Sequence, residues 1–144
     1  MSRFKMVVAV HLFLIKEDHV LLLRRYNTGY EDGKYSVVAG HLDGDERVKE
    51  AMAREAKEEA GITIEEKDLH IAGVMHRKAN DERIDFFVSS DTWQGEIENM
   101  EPEKCDELAW FALDQLPENT IDYVQKALAN FRSDTWFDSY GWKD

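Results

Sequence analysis

Three glutamates, Glu55, Glu58 and Glu59, are grouped near the middle of the chain, within residues 40–62. Their spacing of three and four residues places all three side chains on one side of an α-helix. Carboxylates gathered in this way are ligands for a hard divalent cation such as Mg²⁺ or Mn²⁺. On a solvated surface they are simply part of an acidic face. The spacing therefore leaves two alternatives, a metal site or a solvated acidic face.

The helix that carries these glutamates is predicted to begin near Glu46, with Asp45 as its N-cap. It is predicted to end at Gly61, since a residue without a side chain suits the left-handed C-terminal position. An apolar stripe runs along the helix, formed by Val48, Ala51 and Met52. The three glutamates follow this stripe and lie within roughly a 100° arc on its core-facing side.

The electrostatic cost of this crowding depends on what surrounds the carboxylates. In water, like charges four residues apart cost about 0.2 to 0.5 kcal/mol per pair and need no compensation. Against the body of the protein, two carboxylates about 6 Å apart at an effective dielectric of about 20 repel by about 3 kcal/mol. Arg54 can offset one of the three charges but not all of them. A buried arrangement therefore requires a cation, whereas an exposed one does not.

The same run resembles the signature of the Nudix (MutT-type) hydrolase family, in which a glycine and a glutamate precede the sequence Arg-Glu-apolar-any-Glu-Glu-any-Gly-apolar. The positions of that pattern are filled here by Gly40, Glu46, Arg54, Glu55, Ala56, Glu58, Glu59, Gly61 and Ile62. At about one in ten for each fixed residue, chance would produce this match in on the order of one chain in 10⁵ of this length. A weaker resemblance extends from residues 22–25 to residues 110–111.

The resemblance implies an Mg²⁺- or Mn²⁺-dependent pyrophosphohydrolase. Its substrate would be a nucleoside-diphosphate-linked compound, such as a nucleoside triphosphate or a modified nucleotide. The implied metal ligands are Glu55, Glu58, Glu59 and the carbonyl of Gly40. Arg54 would orient the glutamates, and Glu46 would support the start of the helix. Glu55 is the first candidate for the general base, and the alternatives are the later glutamates Glu101, Glu103 and Glu107.

Polar residues at predicted strand ends are further candidates for substrate contact. Arg24 and Arg25 could bind phosphates, but neighbours on a strand point to opposite faces, so we expect at most one to reach the site. His76 and Arg77, with Asp85 in the next strand, could contact a base or ribose. For each of these residues the competing interpretation is a polar side chain at the surface or the sheet edge.

Charge and composition limit the class of partner. The 144 residues carry a formal net charge of -12, which disfavours binding to duplex nucleic acid because that depends on clustered Lys and Arg. The apolar run at residues 6–15 is too short for a membrane helix and lacks the cleavage site of a signal peptide. Cys105 is the single cysteine, which fits a reducing compartment. We therefore expect a cytoplasmic protein that acts on small nucleotides.

A mixed sheet covered by helices is predicted to position these groups. Apolar runs predict strands at residues 6–15, 20–23, 35–39, 71–76, 84–88 and 108–112. A second helix is predicted over residues 121–131. Residues 1–144 are thus predicted to form one domain, an α/β fold of the Nudix-like α/β/α sandwich type. The aromatic tail at residues 133–144 is predicted to dock on this body or on a second subunit of a homodimer.

Two functional classes remain in competition. One is the hydrolase, and the other is a non-catalytic nucleotide-sensing domain with the same fold. The complete set of glutamates favours the enzyme, because a domain that only binds would not need every carboxylate.

Overall fold

The computed structural model describes residues 2–143, which form eight strands, two α-helices and one short 3₁₀ turn. The strands are β1 (Val7–Lys16), β2 (His19–Arg25), β3 (Tyr35–Ser36), β4 (Ala39–His41), β5 (His70–Lys78), β6 (Glu82–Ser90), β7 (Cys105–Ala112) and β8 (Phe137–Tyr140). The helices are α1 (Val48–Ala60) and α2 (Asp122–Arg132), and the 3₁₀ turn spans Glu66–Asp68. Residues 1 and 144 of the predicted domain lie outside the described residues, and its single-domain organisation stays a prediction.

The strands form one mixed sheet in the order β3-β2-β1-β6-β5-β8. β1 lies in its middle, parallel to β6 and antiparallel to β2 and β4. β5 runs antiparallel to β6, and β7 pairs with β2. The predicted α/β fold with a mixed sheet and two helices is confirmed.

The alternation of side chains along β1 builds a core on each face of the sheet. Val10, Leu12 and Leu14 pack with the buried face of α1. Phe13 points the other way and packs with Val124 and other residues of α2. Each helix therefore covers one face of the sheet. No helix within residues 2–143 combines the length and the apolar character needed to span a membrane.

The start of α1 differs from the prediction, and its end does not. Asp45 has a left-handed φ of 55°, whereas an N-cap residue needs an extended backbone. Arg47 supplies that backbone, with φ of -77° and ψ of 158°, so the helix begins at Val48. The predicted C-terminal glycine is confirmed, because Gly61 has φ of 72° and donates its N–H to the carbonyl of Lys57.

The predicted strand at residues 35–39 is two short strands that pair with different neighbours. β3 pairs with β2, and β4 pairs with β1. Val37 and Val38 carry the chain from one neighbour to the other, and the Val38 carbonyl accepts the N–H of Leu12. This crossing brings Gly40 opposite Val10 in the middle of the sheet.

The aromatic tail docks on the body of the chain. Its strand β8 pairs in parallel with β5, and Trp142 Nε1 donates to the carbonyl of His76 at 2.9 Å. This strand was not predicted, since its four residues alternate too briefly to give a pattern. The homodimer stays a prediction.

Candidate active site

Glu55 lies on the inner side of α1, against β4. Its side chain is 12% exposed, and its carboxyl group occupies the space that a β-carbon on Gly40 would need. The backbone of Gly40 is not left-handed. The glycine is therefore required at this position because it leaves room for the carboxyl group of Glu55.

Arg54 is surrounded by carboxylates. Its Nη2 donates to Glu46 Oε1 at 2.8 Å, and its Nε donates to Glu46 Oε2 at 3.2 Å. Its Nη1 donates to Glu55 Oε1 at 2.7 Å and lies 3.5 Å from Glu58 Oε2. These hydrogen bonds raise the pKa of Arg54 and keep its guanidinium charged, and the bond with Glu46 contributes most. The geometry suits the orienting role predicted for Arg54, with Glu46 as its anchor.

No basic side chain within residues 2–143 makes an ion pair with the carboxyl group of Glu59. Burial raises the pKa of Glu59 to about 10, and a hydrogen bond with Glu55 and the negative charges of Glu55 and Glu101 act in the same direction. At neutral pH the carboxyl group of Glu59 in the metal-free protein therefore carries a proton.

Glu58 corrects the predicted position of the third carboxylate. Its side chain is 54% exposed, so it lies at the solvent edge of the site and not on the core-facing side. The reason is its place at the margin of the helical arc, where a small rotation of α1 about its axis is enough to expose a side chain. Two glutamates face inward, and the third borders the site.

One of the three later glutamates lies near this site. Glu101 is close enough for its charge to act on Glu59, and its loop is held by Asn99, whose side chain accepts the N–H of Glu101 at 3.0 Å. Glu107 is engaged elsewhere, because it accepts the hydroxyl of Tyr35 at 2.7 Å. Glu103 is exposed to solvent.

The composition of this acidic cluster fits a hard divalent cation. Arg54 compensates Glu46 and Glu55 but not Glu59, which takes up a proton instead. A cation bound by oxygen ligands can replace such a proton. Within the described residues no three acidic, histidine or cysteine side chains are gathered closely enough to enclose an ion. The fit therefore rests on the carboxyl group of Glu59, which has no basic partner, beside that of Glu55.

The raised pKa of Glu59 predicts that the metal-free protein loses stability as the pH rises from about 5 toward 10. In that range the folded chain keeps a proton that the unfolded chain has released, so folding is favoured at low pH and opposed at high pH. The slope from this group is at most about 1.4 kcal/mol per pH unit. Denaturant unfolding in the presence of a chelator measures it. Glu59→Gln should lack this slope, and an identical pH profile in both proteins would contradict the assignment.

A cavity of about 510 Å³ opens beside Gly40, between β4, the β5–β6 hairpin and α2. Arg25 lines this cavity. Arg24 does not, because its Nε donates to Asp106 Oδ1 at 2.8 Å on the other side of the strand. As the alternation along β2 requires, one of the two arginines can reach a molecule in the cavity.

The other predicted substrate contacts are distributed differently. His76 points away from the cavity, with its Nε2 2.6 Å from Glu82. Asp85 is completely buried, so it cannot touch a substrate. Burial opposes its ionisation, but hydrogen bonds with His11 and Arg77 outweigh this and lower the pKa of Asp85 to about 2. Arg77 itself lines the cavity.

Sequence reasoning missed several residues that line the cavity, among them His11, Tyr30 and Tyr123. A signal existed for His11, because a polar side chain inside an apolar strand needs a buried partner, and that partner is Asp85 at 2.9 Å. Tyr30 lies in a loop and Tyr123 on a helix, so no local pattern marked either of them.

Comparisons with known proteins agree with this geometry. Residues 5–131 match the family model described as "NUDIX domain". The ADP compounds hydrolase NudE of Escherichia coli (strain K12) is 26% identical over 136 residues, covering 92% of this chain and 73% of that protein. An ADP-ribose pyrophosphatase of Methanocaldococcus jannaschii is 31% identical, covering 81% of this chain and 68% of that protein. The crystal structure of a MutT NUDIX hydrolase from Burkholderia pseudomallei superposes with a TM-score of 0.80 at 26% identity, covering 88% of this chain and 98% of that one.

Proposed function

The chain belongs to the Nudix family of hydrolases, which are pyrophosphatases acting on acid anhydrides, and we propose that its substrate is a nucleoside-diphosphate-linked compound cleaved with Mg²⁺ or Mn²⁺. The observation that carries this proposal is the pair of inward-facing carboxyl groups of Glu55 and Glu59, of which only Glu55 is paired with a basic side chain, that of Arg54. The cavity beside Gly40 is the space available for the substrate.

Glu55, Glu58 and Glu59, with the carbonyl of Gly40, are the groups that would hold the cation. When bound, a divalent cation neutralises pyrophosphate oxygens and lowers the pKa of an attacking water. Arg54 holds Glu55 and Glu58 in place through its hydrogen bonds. Either Glu55 or Glu101 accepts the proton of the water. Glu55 is the first candidate because its carboxyl group lies inside the site against Gly40.

Arg25 is the residue best placed to bind a phosphate group. Its Nε donates to the carbonyl of Tyr30 at 2.7 Å, and its Nη2 donates to Thr28 Oγ1 at 3.0 Å. Both acceptors are neutral, and the Asp32 carboxylate, whose pKa Arg25 helps to lower, makes no direct ion pair with the guanidinium. Arg25 makes no ion pair with any residue in the described part of the chain. A preoriented arginine without a direct ion pair is well suited to a phosphate oxygen pair.

The names of the relatives support a class of substrate but do not identify which compound of that class this chain cleaves. One is named for ADP compounds and another for ADP-ribose. Both names refer to ADP, which is a nucleoside diphosphate. We propose the same general class for this chain, with a nucleoside monophosphate and a second phosphorylated fragment as products.

A substrate panel tests this function. The purified protein is incubated with nucleoside triphosphates, dinucleoside polyphosphates, nucleotide sugars and ADP-ribose in H₂¹⁸O, and the products are identified by mass spectrometry. With Mg²⁺ we expect a nucleoside monophosphate, a second phosphorylated product, and ¹⁸O in one of the two. With a chelator we expect no product.

Two outcomes would contradict the proposal. Turnover that persists in the chelator would exclude the cation. Tight nucleotide binding without any product, in the presence of Mg²⁺ or Mn²⁺, would instead identify a non-catalytic nucleotide-sensing domain.

A further inference from the structure

Three apolar side chains form a row across the outer strands of the sheet. Val74 on β5 is registered opposite Phe86 on β6 and, on its other side, opposite Phe137 on β8. Registered neighbours point to the same face of a sheet. Phe86 packs partly against the core beneath α1, so this row lies on the α1 face of the sheet.

Ile84, Ile71 and Trp142 extend this row along the strands. Ile84 lies two residues before the β6 member of the row, so it shares the same face. Ile71 is registered opposite Val88, a buried residue of the core beneath α1. The centre of the Trp142 ring lies 4.8 Å from that of His76, which is registered opposite Ile84. We call this surface the open face; it consists of Ile71, Val74, Ile84, Phe86, Phe137 and Trp142.

The helices leave much of the open face uncovered. α1 lies over β1 and β4, and α2 packs on the opposite face of the sheet. Ile71, Phe137 and Trp142 are 46%, 44% and 41% exposed. Trp136, which is 71% exposed, widens the apolar area, because the centre of its ring lies 5.6 Å from that of Phe137. With their half-buried neighbours these side chains present on the order of 500 Å² of apolar surface, since a large side chain has roughly 200 Å².

An apolar surface of this size matches the core of a subunit interface. A stable dimer buries about 800 Å² on each partner, and about two thirds of a homodimer interface is apolar. The apolar part of such an interface is thus about 500 Å² per subunit. A monomeric protein seldom exposes a contiguous apolar patch of that size without a function for it.

The charge of the protein favours a second copy of this chain as the partner. A formal net charge of -12 repels anionic membranes and nucleic acids. In a two-fold dimer the same patch faces itself, so a strongly acidic chain can associate only through a patch without net charge. The open face consists of uncharged side chains. Lys78 and Glu82, which border it at the β5–β6 turn, are registered opposite each other and have opposite signs.

We propose that the open face is the interface of a homodimer, in which β5, β6 and β8 of two copies pack face to face around a two-fold axis. Sheets stacked in this way lie about 10 Å apart, a distance that interdigitating apolar side chains fill. This inference concerns association of the chain and does not depend on the proposed function.

Sedimentation velocity at protein concentrations from about 1 to 100 µM tests the interface. At the upper end of this range we expect wild-type protein to sediment with twice the mass of one chain. Ile71→Glu places a carboxylate in the apolar interface, where it loses water without gaining a partner, so the Kd of the dimer should rise about hundredfold or more.

The matched control is Tyr26→Glu. Tyr26 is 49% exposed, as Ile71 nearly is, but it follows β2, which lies on the other side of β1 from β5. This variant should keep the wild-type Kd. Circular dichroism checks that both variants are folded.

Three outcomes would overturn the proposed interface. The first is wild-type protein that stays monomeric at about 100 µM. The second is an unchanged Kd in folded Ile71→Glu protein, which would place the dimer interface elsewhere. The third is flotation of wild-type but not Ile71→Glu protein with phosphatidylcholine vesicles, which would assign the open face to a lipid surface. A dimer that Ile71→Glu dissociates and Tyr26→Glu does not, without binding to vesicles, would support it.

Discussion

Replacing Glu59 with glutamine is expected to lower kcat by about 10³-fold or more and, at the same time, to raise the Tm of the metal-free protein. Turnover falls because an amide carries no charge with which to bind a cation. Stability rises because glutamine reproduces the neutral form of a carboxyl group whose pKa burial has raised to about 10. At pH 8 the shift should reach a few degrees.

Glu58→Gln is expected to cause a comparable loss of turnover but no rise in Tm. Glu58 is more than half exposed, so its charge costs little in the free protein. Loss of a metal ligand is expected to lower turnover in both variants. Removal of a buried ionisable group is expected to raise Tm only in Glu59→Gln, so comparing the two variants distinguishes these effects. Steady-state kinetics and thermal melts in Mg²⁺ and in chelator measure both quantities.

Glu66→Gln is a matched control for these two variants, because Glu66 is an exposed glutamate on the 3₁₀ turn. It should leave turnover and Tm unchanged. Wild-type turnover in either Glu58→Gln or Glu59→Gln would remove the helix glutamates from the mechanism.

Gly40→Ala is expected to lower kcat by about 10²-fold or more with the fold retained. The new methyl group would occupy the place of the Glu55 carboxyl group. Because this carboxyl is the end of a flexible side chain, it can move aside, and the backbone of Gly40 has no left-handed φ that alanine would strain. The carboxyl group would then leave both Arg54 and Glu59. Circular dichroism tests whether the fold is retained, and steady-state kinetics measure the loss of kcat.

Gly73→Ala is the control for that substitution. Gly73 is also a strand glycine without a left-handed φ, but a β-carbon there would meet the carbonyl of Trp136 only at 3.4 Å. Turnover in this variant should stay near that of the wild type. Equal activity of Gly40→Ala and Gly73→Ala would show that the position of Glu55 does not matter for catalysis.

The role of Gly61 could be explained from its neighbours in the sequence, whereas that of Gly40 could not. The end of α1 at Gly61 was predictable because helix termination depends on the backbone of neighbouring residues. The need for glycine at position 40 was not derivable from local physics, because the group that fills its space belongs to Glu55, fifteen positions later in the chain. The motif identified the residue, and the tertiary structure supplied the reason.

For the three glutamates of α1, spacing in the sequence and packing of the helix again determine different properties. Their spacing alone places them on one side of a helix. Which of them face inward depends on how that helix sits against β1 and β4, and the structure turns Glu55 and Glu59 inward and leaves Glu58 at the edge. The raised pKa of Glu59 follows from its burial, so it could not be predicted from the spacing of the glutamates.

The amino-acid sequence by itself determined the family, the helix that carries the glutamates and most of the strands, because these depend on residue types at short, regular separations. Only the tertiary structure decided that Arg25 and not Arg24 borders the cavity, and that Asp85 is a buried partner of Arg77 and His11. Those relationships arise from the pairing of strands distant in sequence. Strand pairing determines the burial, the charge balance and the direction of each side chain, so these properties cannot be predicted from a local sequence pattern.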